Sequence, residues 1–112
     1  MTSGCKFSSI KSIKDMTVIV RNMFDTLNRR RIDTEDKITA FWPHISGLDM
    51  GYQVGIESCG LKYGKDKENT VTRSILEILD KFDDGKLDAA QAWDKISTTI
   101  NLMETIEDYG KH

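Results

Sequence analysis

The sequence predicts a small all-α protein, a helical bundle of two αα-hairpins joined by a glycine-rich, partly helical central segment. Three observations lead to this prediction. Apolar residues recur at intervals of three and four along several stretches, which is the spacing of one buried helix face. Residue types that cap helices stand at the ends of these stretches. The last two stretches are joined by a connection so short that their helices must run antiparallel.

The first helix is predicted to run from about Ser12 to Asn28. Ser12 is of a type that caps helices, and Asp15 falls in the first turn, where the helix dipole favours an anion. Four β-branched residues from Thr17 to Val20 would also suit a short strand. Residues 1–11 are expected to form a flexible N-terminal tail. The apolar positions of the helix share one face: Met16, Ile19, Val20, Met23, Phe24 and Leu27.

A second helix is predicted to start within Asp33–Asp36, because this stretch combines a capping residue type with acidic residues. The apolar residues Ile38, Phe41 and Trp42 follow. Pro43 is expected to break or kink the element, since proline lacks a backbone N–H and clashes with the preceding turn.

The central segment, Ser46–Asn69, contains Gly47, Gly51, Gly55, Gly60 and Gly64. Residues 45–59 suit either a helix or a loop. Each glycine costs a helix about 1 kcal/mol relative to alanine, so a helix here would need tertiary support. The first three glycines lie four residues apart and would provide that support by letting a neighbouring backbone approach closely. A loop is expected from Gly60 to Glu68.

The C-terminal third predicts the second hairpin. Asn69 or Thr70 can cap its first helix, and Asp84-Gly85 supplies the left-handed residue that ends it. Asp88 can cap the helix that follows. Both helices carry apolar stripes at helical spacing: Val71, Ile75, Leu76, Ile78, Leu79 and Phe82 in the first, and Ala89, Trp93, Ile96, Ile100, Met103 and Ile106 in the second.

Composition excludes several classes of protein. The chain has 112 residues, of which 38% are hydrophobic, and no apolar stretch approaches the ~20 residues that span a bilayer. The N-terminus has no apolar core of the kind found in a signal peptide. We therefore expect one domain in the cytoplasm without membrane contact. The net charge of -2 leaves nucleic acid as a possible but unfavoured partner.

The charge distribution along the chain and the apolar stripe of the last helix lead to two predictions about packing. Residues 1–31 are mainly basic and residues 74–112 mainly acidic, which favours packing of the two ends against each other. The low apolar fraction and the long stripe from Trp93 to Ile106 predict a homodimer, because one chain has little apolar surface to cover the stripe.

The sequence contains none of the common catalytic motifs: G-x-S-x-G, H-E-x-x-H, the P-loop or G-x-G-x-x-G. The two cysteines, Cys5 and Cys59, and the two histidines, of which His112 is the last residue, lack the tight spacings of a structural zinc site. Asp80–Gln91 partly resembles an EF-hand loop, but Phe82 and Gln91 stand where calcium ligands are required. We therefore expect no catalytic residue, no metal site and no cofactor.

The residues best suited to recognition are basic and aromatic. Arg29–Arg31 is the only basic run, although cations at the end of a helix also complement its dipole. Aromatic residues surround Pro43 and the central glycines. Arginine, tryptophan and tyrosine are the residue types enriched at interface hot spots. The candidate partner-binding residues are Arg29, Arg30, Arg31, Trp42, His44, Tyr52 and Tyr63.

These observations predict a non-enzymatic protein–protein interaction module, that is, an adaptor, an inhibitor or a regulator whose partner is another protein. Small helical chains of this kind occur among phage and mobile-element regulators, a likeness of general character only. The alternative is a helical protein that binds a small ligand or nucleotide, or a magnesium-dependent hydrolase. It would use the central aromatic and glycine region, or the carboxylate pairs Glu77 with Asp80 and Glu104 with Glu107.

Overall fold

The computed structural model describes residues 13–58 and 70–109. These residues form four helices, α1 (Ile13–Asn28), α2 (Thr34–Ser58), α3 (Val71–Asp83) and α4 (Ala89–Tyr109). No strand occurs in the described ranges, so the predicted all-α bundle of two αα-hairpins is confirmed, and residues 17–20 are helical. The expected N-terminal tail and the expected loop from Gly60 to Glu68 lie outside the described residues.

All four helices contribute to one core. An aromatic cluster holds its centre: Phe24 stacks on Trp93 with ring centroids 4.5 Å apart, and Phe41 meets Trp93 edge-on at 5.3 Å. The stripe of α4 is buried at Trp93, Ile96 and Ile100 within the single chain. This stretch of α4 is therefore covered within one chain, and the reason given for a homodimer does not apply to it. The buried apolar residues are Met16, Val20, Phe24, Leu27, Ile38, Phe41, Ile45, Tyr52, Val71, Ile75, Leu79, Ala92, Trp93, Ile96 and Ile100.

Helix α2 continues through Pro43, so the predicted break at this residue is wrong. Pro43 has no N–H to donate to the carbonyl of Thr39, but it lies on the exposed side of α2, where water can satisfy that carbonyl. The opposite side of the helix is anchored by Phe41 and Ile45, both fully buried. Burial of each such side chain stabilises by about 1.5–3 kcal/mol, so two of them offset a cost of about 3 kcal/mol for an internal proline.

The helical alternative for the central segment is confirmed as far as Ser58. The predicted close approach of a neighbouring backbone is wrong at two of the glycines, because a Cβ added to Gly47 or Gly51 would meet no atom within 4 Å. No neighbouring backbone approaches these residues. The tertiary support comes from the opposite side of the helix, where Ile45, Asp49 and Tyr52 are buried.

Replacing Gly47 or Gly51 with alanine is therefore expected to stabilise the fold by about 1 kcal/mol each, the difference in helix propensity between the two residues. Urea denaturation measures the change. Gly85→Ala is the matched control, because Gly85 has φ +79° and a side chain there costs about 1–2 kcal/mol. Destabilisation by Gly47→Ala or Gly51→Ala would contradict the open space seen beside them.

Local capping interactions set the ends of the second hairpin. Thr70 is the N-cap of α3 and accepts a hydrogen bond from the N–H of Arg73 at 3.2 Å. Asp88 accepts from the N–H of Gln91 at 2.8 Å, while the Gln91 side chain accepts from the N–H of Asp88 at 3.0 Å. This reciprocal pair is a capping box. The residues that resemble an EF-hand loop thus serve the turn between α3 and α4.

Helix α1 packs against α4, so the two ends of the chain are in contact as predicted, although α1 itself carries two basic and two acidic residues. The Arg21 Nε–H donates to the Glu104 carboxylate at 3.1 Å, and the guanidinium also contacts Asn101. The hydrogen bond with Glu104 raises the pKa of Arg21 above its already high value. Residues Asn28 and Trp93 join the same two helices near the other end, through a hydrogen bond of 2.8 Å from Trp93 Nε1 to Asn28 Oδ1.

None of the helices in the described residues is both long enough and apolar enough for a membrane span.

Candidate functional site

A groove runs between α1 and α2 on the outer side of the first hairpin. Its volume is about 230 Å³. Met23, Leu27 and Ala40 form an apolar floor, and polar side chains stand around it. The lining residues are Asn22, Met23, Thr26, Leu27, Arg30, Ala40 and His44.

The antiparallel hairpin brings two of the predicted partner-binding residues to this groove. Arg30 follows the end of α1, while His44 lies in the third turn of α2, and both are exposed and line the groove. Arg29 reaches the same rim, because its guanidinium donates to the Thr26 hydroxyl at 3.3 Å. Arg31 is exposed beside them. Arg29, Arg30 and the imidazole of His44 therefore form one cationic and hydrogen-bonding edge.

The remaining predicted residues do not join this edge. Trp42 is two residues from His44, so the two side chains project about 200° apart around the helix, and Trp42 packs against the hydrophobic core. Tyr52 is fully buried, so it is a core residue and not an exposed anchor for a partner. Tyr63 lies outside the described residues.

An acidic turn lies at the same end of the bundle as the basic run. The Asn28–Trp93 hydrogen bond places the end of α1 beside the start of α4, so Asp84 and Asp88 are at the end that also carries Arg30. Neither Arg30 nor Arg31 forms an ion pair with any side chain that the structure describes. Their charges are therefore free to meet an acidic group from another molecule.

Sequence reasoning missed a buried polar network between α2 and α3. Asp49 is buried on α2, and its Oδ1 accepts from the Thr72 hydroxyl at 3.1 Å and from the Arg73 Nε–H at 3.2 Å. The Thr72 hydroxyl is also 3.0 Å from the Thr70 hydroxyl and 3.5 Å from the sulfur of Met16. The network ties the start of α3 to α1 and α2.

A sequence signal for this network did exist. Asp49 is the only charged residue between Lys37 and Glu57, and it lies four residues after Ile45 on the buried face. A carboxylate on an apolar face needs a hydrogen-bonding or charged partner. The partner residues could not be named from sequence, because Thr72 and Arg73 are 23 and 24 residues away.

The structure describes the carboxylate pairs of the alternative hypothesis only in part. Glu104 is paired with Arg21, while Glu77 and Asp80 are exposed on α3, and the Glu107 side chain lies outside the described part. Among the residues that the structure describes, no three histidine, cysteine, aspartate or glutamate side chains are grouped to hold a metal ion.

No protein-family model, curated protein or solved structure matches this chain. Its function therefore has to be inferred from the geometry of its own residues.

Proposed function

We propose that this protein is a non-enzymatic protein–protein interaction module, an adaptor, inhibitor or regulator, that binds an acidic segment of another protein in the groove between α1 and α2. The observation that carries the proposal is the meeting of Arg30 and His44 at one apolar groove. An apolar side chain of the partner occupies the floor over Met23, Leu27 and Ala40. Carboxylates on either side of it pair with the arginines of the rim, whose planar guanidinium groups suit bidentate contacts.

The size of the groove favours a protein side chain over a nucleotide. Pockets for drug-sized ligands have volumes of about 300–1,000 Å³ and bury most of the ligand, whereas this groove has about 230 Å³ and is open. A single leucine or methionine side chain of a partner suits such a space. At this groove, a small ligand therefore has weaker support from the geometry than a protein side chain has.

The charge around the groove disfavours nucleic acid as the partner. A phosphate backbone is bound by a broad basic surface that releases many counterions. Here three arginines lie at the same end of the bundle as the acidic turn with Asp84 and Asp88, which would repel phosphates. A short acidic peptide segment can meet the arginines and avoid the acidic turn.

The proposal is tested with a pair of synthetic peptides of equal length, each with a central leucine, flanked by glutamates in one and by lysines in the other. We expect the acidic peptide to shift the amide NMR signals of Met23, Ala40 and His44, and the basic peptide to leave them unchanged. Arg30→Glu is expected to weaken binding of the acidic peptide about tenfold or more, which corresponds to ~1.4 kcal/mol, and high salt is expected to weaken it as well.

The matched control is Lys95→Glu, which makes the same change of charge at an exposed position of α4. It is expected to leave the affinity within about twofold, because Lys95 does not line the groove between α1 and α2. If both variants weaken binding of the acidic peptide equally, the loss of affinity results from the change in net charge and not from the position of Arg30. If the acidic peptide changes only the amide NMR signals of other helices, it binds to a surface other than the groove.

A further inference from the structure

A second pocket opens at the end of the bundle where α1 ends and where α2 and α4 begin. Its volume is about 350 Å³, which exceeds that of the groove between α1 and α2. The rings of Phe24 and Trp93, both almost fully buried, lie at its base. Most of the residues around them are polar. The lining residues are Phe24, Asn28, Thr34, Ala90, Trp93, Asp94 and Ser97.

This pocket offers hydrogen-bond acceptors and one negative charge. Asp94 is exposed and forms no ion pair with any side chain that the structure describes. The hydroxyls of Ser97 on α4 and Thr34 on α2 are further acceptors. Asn28 Oδ1 accepts from Trp93 Nε1 at 2.8 Å and keeps a second lone pair. Within the described ranges no lysine or arginine lines the pocket, so its charge is negative.

The seam between α1 and α4 already holds a guanidinium about two turns further along α4. Asp94, Ser97, Asn101 and Glu104 follow one another at spacings of three and four, so they share one edge of α4. The guanidinium of Arg21 donates to Glu104 and to Asn101. Asp94 and Ser97 repeat this combination of a carboxylate and a neutral acceptor at the same spacing. No arginine of the described residues contacts them.

We propose that this pocket binds the guanidinium group of an arginine side chain from a partner protein. Asp94 pairs with the guanidinium, and the hydroxyls of Ser97 and Thr34 accept from its other N–H groups. The apolar stem of the arginine lies over Phe24 and Trp93. A guanidinium suits the pocket better than an ammonium does, because its donors spread in a plane that reaches acceptors on both walls and because it packs well on aromatic rings.

The pocket is separate from the groove between α1 and α2, because no residue lines both. The proposal therefore does not rest on the acidic partner segment proposed for the groove. Arg30→Glu is expected to leave binding at the pocket within about twofold. A partner that occupies both places presents carboxylates to Arg30 and an arginine to Asp94.

Three blocked peptides that differ at one central residue between glycines test the proposal by NMR titration. The residue is arginine, lysine or citrulline, which has nearly the shape of arginine without its charge. The arginine peptide is expected to shift the indole N–H signal of Trp93 and the amide signal of Ser97, with a Kd of about a millimolar, because a single exposed ion pair is weak. The lysine peptide is expected to bind about threefold more weakly, and the citrulline peptide is expected to leave both signals unchanged.

Ethylguanidinium alone distinguishes a partner side chain from a small-molecule ligand. It is expected to shift the same two signals but to bind more weakly than the arginine peptide, because it lacks most of the stem that lies over the aromatic rings. Tighter binding of ethylguanidinium than of the peptide would contradict a partner protein as the source of the guanidinium. Equal binding of the lysine and arginine peptides would contradict the choice of a guanidinium.

Asp94→Asn removes the charge and keeps the shape of the side chain, so it is expected to weaken binding of the arginine peptide about fivefold. The matched control is Asp80→Asn, which is exposed on α3 and does not line the pocket. It is expected to bind within about twofold of the parent. The proposal is overturned if Asp94→Asn binds the arginine peptide as tightly as the parent does. It is also overturned if the citrulline peptide shifts both signals equally, or if about 10 mM arginine peptide shifts neither.

Discussion

Replacing Trp93 with alanine is expected to destabilise the fold by about 3–5 kcal/mol, the range seen when a large buried aromatic side chain is truncated. Trp93 stacks on Phe24 and meets Phe41 edge-on, so its removal leaves a cavity where α1, α2 and α4 meet. Small domains are stable by only about 5–15 kcal/mol. We therefore expect a large fall in the urea midpoint, or loss of the cooperative transition altogether.

Trp93→Phe separates the ring packing from the hydrogen bond. It keeps an aromatic ring against Phe24 but removes the Nε1–H that donates to Asn28 Oδ1 at 2.8 Å. Asn28 is exposed, so water can replace the lost donor, and we expect a cost of about 1 kcal/mol from the hydrogen bond plus a part of the packing. If Trp93→Ala and Trp93→Phe cost the same, the aromatic cluster does not hold the centre of the core.

Replacing Asp49 with alanine is expected to destabilise the fold by about 2–3 kcal/mol. The substitution leaves the buried Thr72 hydroxyl without its carboxylate acceptor, and hydrogen bonds to charged groups contribute about 1.5–3 kcal/mol. The ion pair with Arg73 adds little to this figure, because the Arg73 side chain is 46% exposed and can be hydrated when the carboxylate is lost. Urea denaturation measures the total.

Three variants apportion the effect at Asp49. Asp49→Asn keeps an acceptor oxygen for Thr72 and is expected to cost less than Asp49→Ala. Arg73→Ala removes the half-exposed partner and is expected to cost under about 1 kcal/mol, as for other exposed ion pairs. Asp80→Ala changes an exposed carboxylate of α3 and is expected to stay within about 0.5 kcal/mol of the parent. A loss at Arg73→Ala equal to that at Asp49→Ala would show that the ion pair, and not the buried hydroxyl contact, dominates.

The candidate site was predicted in part by residue type alone. Arginine is a common interface residue, and this property is sufficient to single out Arg29–Arg31 from the sequence. Whether Arg30 lies near His44, and whether Tyr52 faces solvent, depends on how α1 and α2 turn about each other. That orientation is set by contacts between residues distant in sequence, such as Phe24 with Phe41. Residue type therefore suggested seven candidates, and packing brought only some of them to one groove.

By itself, the sequence determined the buried faces of α1, α3 and α4 in the described residues, the start of α3 and the turn between α3 and α4, because caps and apolar spacing act within a few residues. The Thr70 cap and the left-handed Gly85 lie where local chemistry places them. Only the tertiary structure decided that α2 continues from Thr34 to Ser58. Its proline and glycines lower the helix propensity of this stretch by about 5 kcal/mol or more. Helix propensity alone would therefore end the helix. Burial of side chains against α1, α3 and α4 supplies more than that cost: Ile38, Phe41, Ile45 and Tyr52 contribute about 1.5–3 kcal/mol each.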